Sequence, residues 1–340
     1  MKTIPSLRVC LYGLGAIGSS VARALLDTDG IEIVSAIDTD SRKAGRSLAD
    51  HLGRRSGAPG PRIVDDPHAA LRLAAPNVVV HCTGSRLRDI APSLEAIIDA
   101  GIPCATSCEE MALPDLSDSS LAASLDARAR RKGAPIVGAG VNPGFAMDAL
   151  VLALSGATRN IRSIKVSRVL DPLRRRRAFR NKVGLGLVHE EAVRLVEQDR
   201  LGHVGLSHSA MLVARGLGWS VHSTAEELRI LCKGDSPRRR PRPDAAVTGL
   251  HQTFTARGPG RRAITLEMII AAGVRSPHDS VAIAGTPDLG MRIDGGIPGD
   301  QATVSSLINA MGQVASCDRA GLLTILDLPI RPAWHPGRAH

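Results

Sequence analysis

The first apolar run of the chain is Leu7 to Tyr12, "LRVCLY", and it stops at a glycine-rich turn, "GLGAIG". Apolar positions then recur at helical spacing through "SSVARALLDTDG" and merge into a second continuous run, "IEIVSAID", which ends in Asp38. The alternation repeats. An apolar strand with a small polar end, "NVVVHCTGS" (Asn77 to Ser85), precedes the helix pattern "APSLEAIIDAG". Next come a short strand holding Cys104 and Ala105, the helix pattern "SSLAASLDARARRKG" and the strand "APIVGAG". Continuous apolar strands separated by amphipathic helices predict βαβ units, because crossover helices cover both faces of a parallel sheet.

After Asn142-Pro143-Gly144, which reads as a turn leaving the sheet, the period changes. "IRSIKVSRVL" alternates like a half-buried strand. A basic, glycine-bearing loop, "DPLRRRRAFRNKVGLG", leads to the helix pattern "VHEEAVRLVEQDRLG" and on to "HVGLSHSAMLVARGLGW". A loop rich in Pro and Arg, "GDSPRRRPRPD", precedes two strand-like segments, "AVTGLHQTFTARG" and "RAITLEMIIAAG". The last strong pattern, "GDQATVSSLINAMGQVAS", predicts a helix with Asp300 near its start and an apolar stripe that can return to the first half. The expected organisation is α/β: a Rossmann-type parallel-sheet domain over 1–143, an α+β substrate and dimerisation domain over 144–298, and a returning C-terminal helix and tail over 299–340.

The glycine turn carries the first chemistry. Gly13, Gly15 and Gly18 form GxGxxG, with a strand before, a helix after, and Asp38 twenty residues past the last glycine. Gly13 permits the tight turn, Gly15 lets a pyrophosphate approach the backbone, and Gly18 lets the helix pack on the strand. With Ala16 and Ile17, these glycines offer helix N-terminal N–H groups to the phosphates. Asp38 suits the adenosine ribose hydroxyls and so favours NAD. Ser41, Arg42 and Lys43 lie just beyond and suit a 2′-phosphate, so NAD and NADP both stay open. Ligands bind at the carboxyl ends of such strands, which places Thr83 and Gly84 against the cofactor.

The same rule gives meaning to "TSCEEM", where Glu109 and Glu110 follow the Cys104–Ala105 strand. Adjacent acids there either begin a helix, where they suit its dipole, or face a ligand. One acid can serve each purpose.

Bulk properties narrow the reading. The chain has 340 residues, 44% hydrophobic and 22% charged, enough for two packed domains. Aromatics make up only 2%, so a pocket is mostly aliphatic. The net charge of +10 concentrates in the runs Arg174 to Arg177 and Arg238 to Arg240. No aromatic platform or nucleic-acid module accompanies them, so they read as solvated loops or as attraction for an anionic ligand. The six Cys form no CxxC and read as reduced thiols of a cytoplasmic protein. No signal-peptide pattern opens the chain, no long apolar stretch suggests a membrane partner, and the eleven His stand at no zinc-like spacing.

"GLGAIG", "HCTGS", "TSCEEM", "GAGVNPGF", "SRVLD", "KVGLGL", "GHVGL" and "GGIPGDQATV" occur in this order. In this the chain resembles the native amine dehydrogenases and 2,4-diaminopentanoate dehydrogenases, over roughly residues 7 to 330, with a nucleotide domain similar to that of dihydrodipicolinate reductase. The resemblance implies a homodimer and NAD(P)H-dependent reductive amination of a carbonyl compound with ammonia, or the reverse deamination of an amine or diamino acid. It implies one catalytic glutamate after the fifth strand, taken as Glu109 with Glu110 as its neighbouring alternative. Asn142 and Pro143 would shape the nicotinamide pocket, and Phe145 would form a pocket wall or a piece of core. Arg168, Asp171 and Arg177 would hold a substrate carboxylate or be surface charge. His203 would be a polar pocket group or a structural histidine. The chain departs from the pattern at "GLSHS", where His208 stands in place of an acid, and in the density of its Arg174 to Arg177 run. Dihydrodipicolinate reductase itself is disfavoured, since its adjacent His pair and its Lys before Ser-Gly-Thr are missing. Other readings are a different imine or amino-acid dehydrogenase on this scaffold, or a non-catalytic dinucleotide sensor.

Overall fold

A computed structural model describes residues 6–54, 60–174, 177–234, 241–330 and 332–334. Its strands, in chain order, are β1 (Leu7–Tyr12), β2 (Ile31–Ile37), β3 (Ile63–Val64), β4 (Val78–His81), β5 (Cys104–Thr106) and β6 (Pro135–Gly138), then β7 (Arg159–Leu170), β8 (Ser223–Cys232), β9 (Val247–Arg257), β10 (Ala263–Ala271), β11 (His278–Thr286), β12 (Leu289–Asp294) and β13 (Gly321–Leu323). The helices are α1 (Ala16–Leu26), α2 (Leu48–Leu52), α3 (Pro67–Ala74), α4 (Leu87–Asp99), α5 (Pro114–Ser117) and α6 (Ser119–Lys132), then α7 (Ala149–Ser155), α8 (Arg177–Lys182), α9 (His189–Glu197), α10 (Leu206–Gly216) and α11 (Gly299–Val314). The chain divides into two compact units, Met1–Phe145 with Gly299–His340, and Ala146–Pro298.

The first unit is built on a seven-stranded parallel sheet, ordered β13-β6-β5-β4-β1-β2-β3. Strand side chains alternate between faces. Cys10, Val79, Cys104 and Ile136 therefore enter one buried cluster with α4 and α6, while Leu11, Val80, Ala105 and Val137 enter the other with α1 and α11. Each fully buried Val, Leu or Ile stabilises this sandwich by roughly 1.5–3 kcal/mol. Local signals bound the helices. Asp118 accepts the Leu121 N–H at the start of α6 and Gly133 takes a left-handed conformation at its end, while Asp66 caps α3 ahead of Pro67.

One boundary differs from its expectation. The helix pattern begins at Ala91, but α4 starts at Leu87 and carries Pro92 inside it. The extra turn is held from far along the chain, because the Glu110 carboxylate accepts the Leu87 N–H. No local cap precedes Leu87, so sequence periodicity misses this start.

The second unit holds a six-stranded mixed sheet, ordered β12-β11-β7-β10-β9-β8, in which only β7 and β10 run parallel. One face is buried through Ile164, Val166, Leu266, Ile270 and Phe254, and α10 packs on β9 and β10. Three of its strands, β8, β11 and β12, go beyond the segments expected from alternation. β8 and β12 are edge strands with much exposed surface, so nothing demands a clean apolar face; β11 alternates Val281 and Ile283 with alanine and serine, which blurs the contrast.

Candidate functional site

The glycine loop joins β1 to α1. Gly13 has φ +93°, a left-handed conformation that favours glycine, and a Cβ on it would meet the Cys82 carbonyl oxygen at 2.6 Å and Thr83 Cγ2 at 2.9 Å. A Cβ on Gly18 would run into the Gly13 carbonyl oxygen. Gly15 is different: it is exposed, and a Cβ there would meet no protein atom within 4 Å. Two glycines are thus required by the fold, and the third faces open space at the head of α1. Gly15 is the N-cap of α1 and provides no side-chain cap, while Ala16 is exposed and Ile17 half-buried. This is a cradle that suits a pyrophosphate.

Asp38 follows β2, and three donors converge on it. Its Oδ2 accepts the Leu14 N–H at 2.7 Å and a Lys43 Nζ hydrogen at 2.7 Å; its Oδ1 accepts the Asp40 N–H at 2.9 Å. Burial pushes this carboxyl up, but Lys43 and the two backbone N–H groups outweigh it and hold the group below the usual range. Arg42, by contrast, lies 86% exposed and pairs with Asp40; Ser41 is exposed. Lys43, rather than Arg42, is the cation paired with Asp38.

At the carboxyl ends of β4 and β5 lies a cluster that the sequence reading did not single out. His81 is fully buried, edge-on to Tyr12 with ring centroids 5.3 Å apart. Its Nε2 lies 2.8 Å from Ser93 Oγ and 2.8 Å from Thr83 Oγ1, and its Nδ1 lies 2.9 Å from Thr106 Oγ1. Burial pushes His81 down to about 3, so it is neutral at pH 7. "HCTGS" was visible as a motif, but nothing local says that its histidine faces inward.

The acid pair is divided. Glu110 Oε2 accepts the Leu87 N–H at 2.7 Å, with Arg86 Nη1 3.9 Å from its other oxygen, so Glu110 caps α4. Glu109 opens the single turn Glu109–Ala112, three residues past the end of β5, and is half-buried. The neighbouring Cys108 and Cys82 thiols are each pushed up to about 12 by burial, which makes them poor nucleophiles. Gly84 lies close to Ile90 of α4; Asn142, past β6, is half-buried.

The expected substrate residues fall into different settings. Arg168, on β7, is only 2% exposed. Its guanidinium pairs with Asp279 of β11, Nε to Oδ1 at 3.4 Å, and donates to the Ile297 carbonyl, while Asp279 Oδ2 accepts the Ile297 N–H. It thus anchors the 297 peptide. Asp171 Oδ1 accepts the Leu173 N–H and ties down a turn. His203 exchanges backbone hydrogen bonds with Gln252 of β9; burial, then the charges of Lys182 and Arg168, push its ring down to about 3. His208 is buried in the first turn of α10. Phe145 is 42% exposed, and Arg177 is exposed at the start of α8. Arg175, Arg176 and the whole Arg238 to Arg240 run lie outside the described residues. Among the described residues no group of three His, Cys, Asp or Glu can hold a metal, and no helix is long and apolar enough to cross a membrane.

A glycine cradle at a helix N-terminus, an acid after β2 and polar groups at parallel strand ends define an NAD(P)-dependent oxidoreductase. Known proteins place it further. Residues 145–338 match the sequence profile of the 2,4-diaminopentanoate dehydrogenase C-terminal domain. The chain is 30% identical to 2,4-diaminopentanoate dehydrogenase of Acetoanaerobium sticklandii over 335 residues, covering 95% of this chain and 94% of the relative. It therefore belongs to the 2,4-diaminopentanoate dehydrogenase family. Among solved structures, the amine dehydrogenase from Mycobacterium smegmatis shares its fold, with TM-score 0.84 and 24% identity over 97% of this chain and 98% of the other. GenD2 of gentamicin A biosynthesis, solved with NAD, is a more distant likeness at TM-score 0.51 and 16% identity over 86% and 74%.

Proposed function

We propose that this protein is an NAD(P)H-dependent amine dehydrogenase that aminates a carbonyl compound with ammonia, or runs the reverse deamination of an amine or diamino acid, and that Glu109 is its catalytic acid/base. The observation that carries the reading is the division of labour in the acid pair. Glu110 is committed to the α4 cap, and Glu109 is the acid next to the carboxyl end of β5, in the sheet that bears the glycine cradle. The relative in Acetoanaerobium sticklandii, a 2,4-diaminopentanoate dehydrogenase, supports an amino-group substrate.

When bound, the dinucleotide supplies hydride donor or acceptor chemistry. Gly13, Gly15 and Gly18 with the α1 N-terminus hold its phosphates, Asp38 with Lys43 its ribose end, and Thr83, Gly84 and Asn142 its reactive end. Glu109 takes the proton that ammonium must lose to attack a carbonyl carbon, and returns a proton to the departing oxygen as water leaves. As an anion it also opposes the positive charge of the substrate iminium. The reading includes a cytoplasmic homodimer in which Ala146–Pro298 contributes substrate and subunit contacts. The six cysteines are free thiols, as a reducing compartment keeps them.

The test is cofactor oxidation by purified protein with ammonia, NADH or NADPH, and a panel of ketones, aldehydes and keto acids. Turnover that needs both carbonyl and ammonia, and that Glu109→Gln abolishes while cofactor still binds, is the expected result. Full activity of Glu109→Gln rejects the assignment.

A further inference from the structure

The buried cluster around His81 has a determinable hydrogen-bond polarity. Thr106 is fully buried, and its oxygen already accepts the Cys108 N–H at 3.2 Å. The acceptor in reach of its hydroxyl hydrogen is His81 Nδ1. Nδ1 therefore carries no hydrogen, and in a neutral imidazole Nε2 carries it instead. The other side agrees. Ser93 donates its single hydroxyl hydrogen to the Ile90 carbonyl at 2.7 Å, so toward His81 it accepts. The reverse tautomer would leave the Thr106 hydrogen buried and unbonded, a desolvation with no compensating bond. The chain of donors runs from Cys108 N–H to Thr106, to His81, and to Ser93 and the α4 backbone.

Two consequences follow for the ligand side. Cys108 is the residue before Glu109, so the turn that bears the acid is tied to His81 through Thr106. Thr83 Oγ1, also 2.8 Å from Nε2, shares that single N–H with Ser93 in a three-centre bond; facing a protonated nitrogen it accepts, so its own hydrogen is left to donate outward. Thr83 also borders Gly13 of the cradle.

We propose that His81, as its Nε2–H tautomer, is a positioning residue that locks the Glu109 turn to the cofactor-lining Thr83 and sets the Thr83 hydroxyl as a hydrogen-bond donor to the dinucleotide. This rests on the assignment of Glu109 above. It makes the ligand group against Thr83 an acceptor, such as a carboxamide oxygen or a ribose hydroxyl oxygen.

The test separates positioning from packing. Thr106→Val keeps the shape and removes the link; kcat should fall by about tenfold or more while the NADH dissociation constant in the binary complex stays within about threefold, and Thr106→Ser should restore most of the rate. Thr83→Val should weaken binary NADH binding about fivefold, with Thr83→Ser recovering it. In 15N-histidine-labelled wild-type protein, the His81 signals should be those of the neutral Nε2–H tautomer from pH 5 to 8. A Thr106→Val enzyme with a lowered melting temperature but wild-type kcat overturns the proposal, as does an Nδ1–H tautomer, which is read on the unaltered protein even if Thr106→Val fails to fold. Glu109→Gln distinguishes the two levels. If it is inactive while Thr106→Val is fully active, the function stands and the positioning role falls; if it is fully active, both fall.

Discussion

The Glu110 carboxylate and the Leu87 N–H meet at 2.7 Å across 23 residues of sequence. This contact makes Glu110 a helix cap, and under the proposed function Glu109 is the acid/base; each role has its own signature. Glu110→Ala should remove a helix cap and lower stability by about 0.5–2 kcal/mol, read by chemical denaturation. Glu109→Gln should leave stability nearly unchanged and lower kcat by about 10²–10⁴-fold. Exchange of these two outcomes would assign the catalytic role to Glu110.

The three glycines also separate. Gly18→Ala should fold poorly, because its Cβ would strike the Gly13 carbonyl. Gly15→Ala has room within the protein and should keep the wild-type melting temperature. Its methyl would project toward the phosphates, and binary NADH binding should weaken about tenfold. Thermal melts and fluorescence titration of the two variants, side by side, decide this.

Lys43 balances Asp38. Lys43→Ala would leave the carboxylate uncompensated, and that charge repels a 2′-phosphate. NADPH binding should weaken about tenfold and NADH binding much less, measured as paired dissociation constants. The same pair predicts a pH effect. The folded Asp38 carboxyl lies below its ordinary value, so its stabilisation is present above about pH 4 and is lost as pH falls through the folded value. The stability gap between wild type and Lys43→Ala should be open at pH 7 and close as pH drops below that range, followed by denaturation at several pH values.

Arg168 and Asp279 form a buried pair that anchors the Ile297 peptide. Arg168→Met should destabilise the protein by about 3–5 kcal/mol, since it leaves a buried carboxylate without its partner. Adding Asp279→Leu should recover part of that loss. Simple additivity of the two substitutions in urea unfolding would contradict the coupling.

Much of the first unit was legible in the sequence. Leu7–Tyr12, the glycine turn and the helix after it are local features, set by side-chain period and by the conformational freedom of Gly13. Residues such as Ser223–Glu227 in β8 were not legible, because an edge strand with exposed sides carries no apolar alternation. Arg168 reads in the sequence as a ligand for a substrate carboxylate or as surface charge, but it is buried and its partner lies 111 positions away in a neighbouring strand.

The sequence by itself determined that the chain builds a dinucleotide cradle and places two acids after the fifth strand, because turn geometry and periodicity act over a few residues. Only the tertiary structure decided which acid caps a helix, which cation meets Asp38, and that His81 turns inward to Thr83, Ser93 and Thr106. Those choices depend on distance in space between groups remote in sequence, and on the cost of burying a polar atom without a partner.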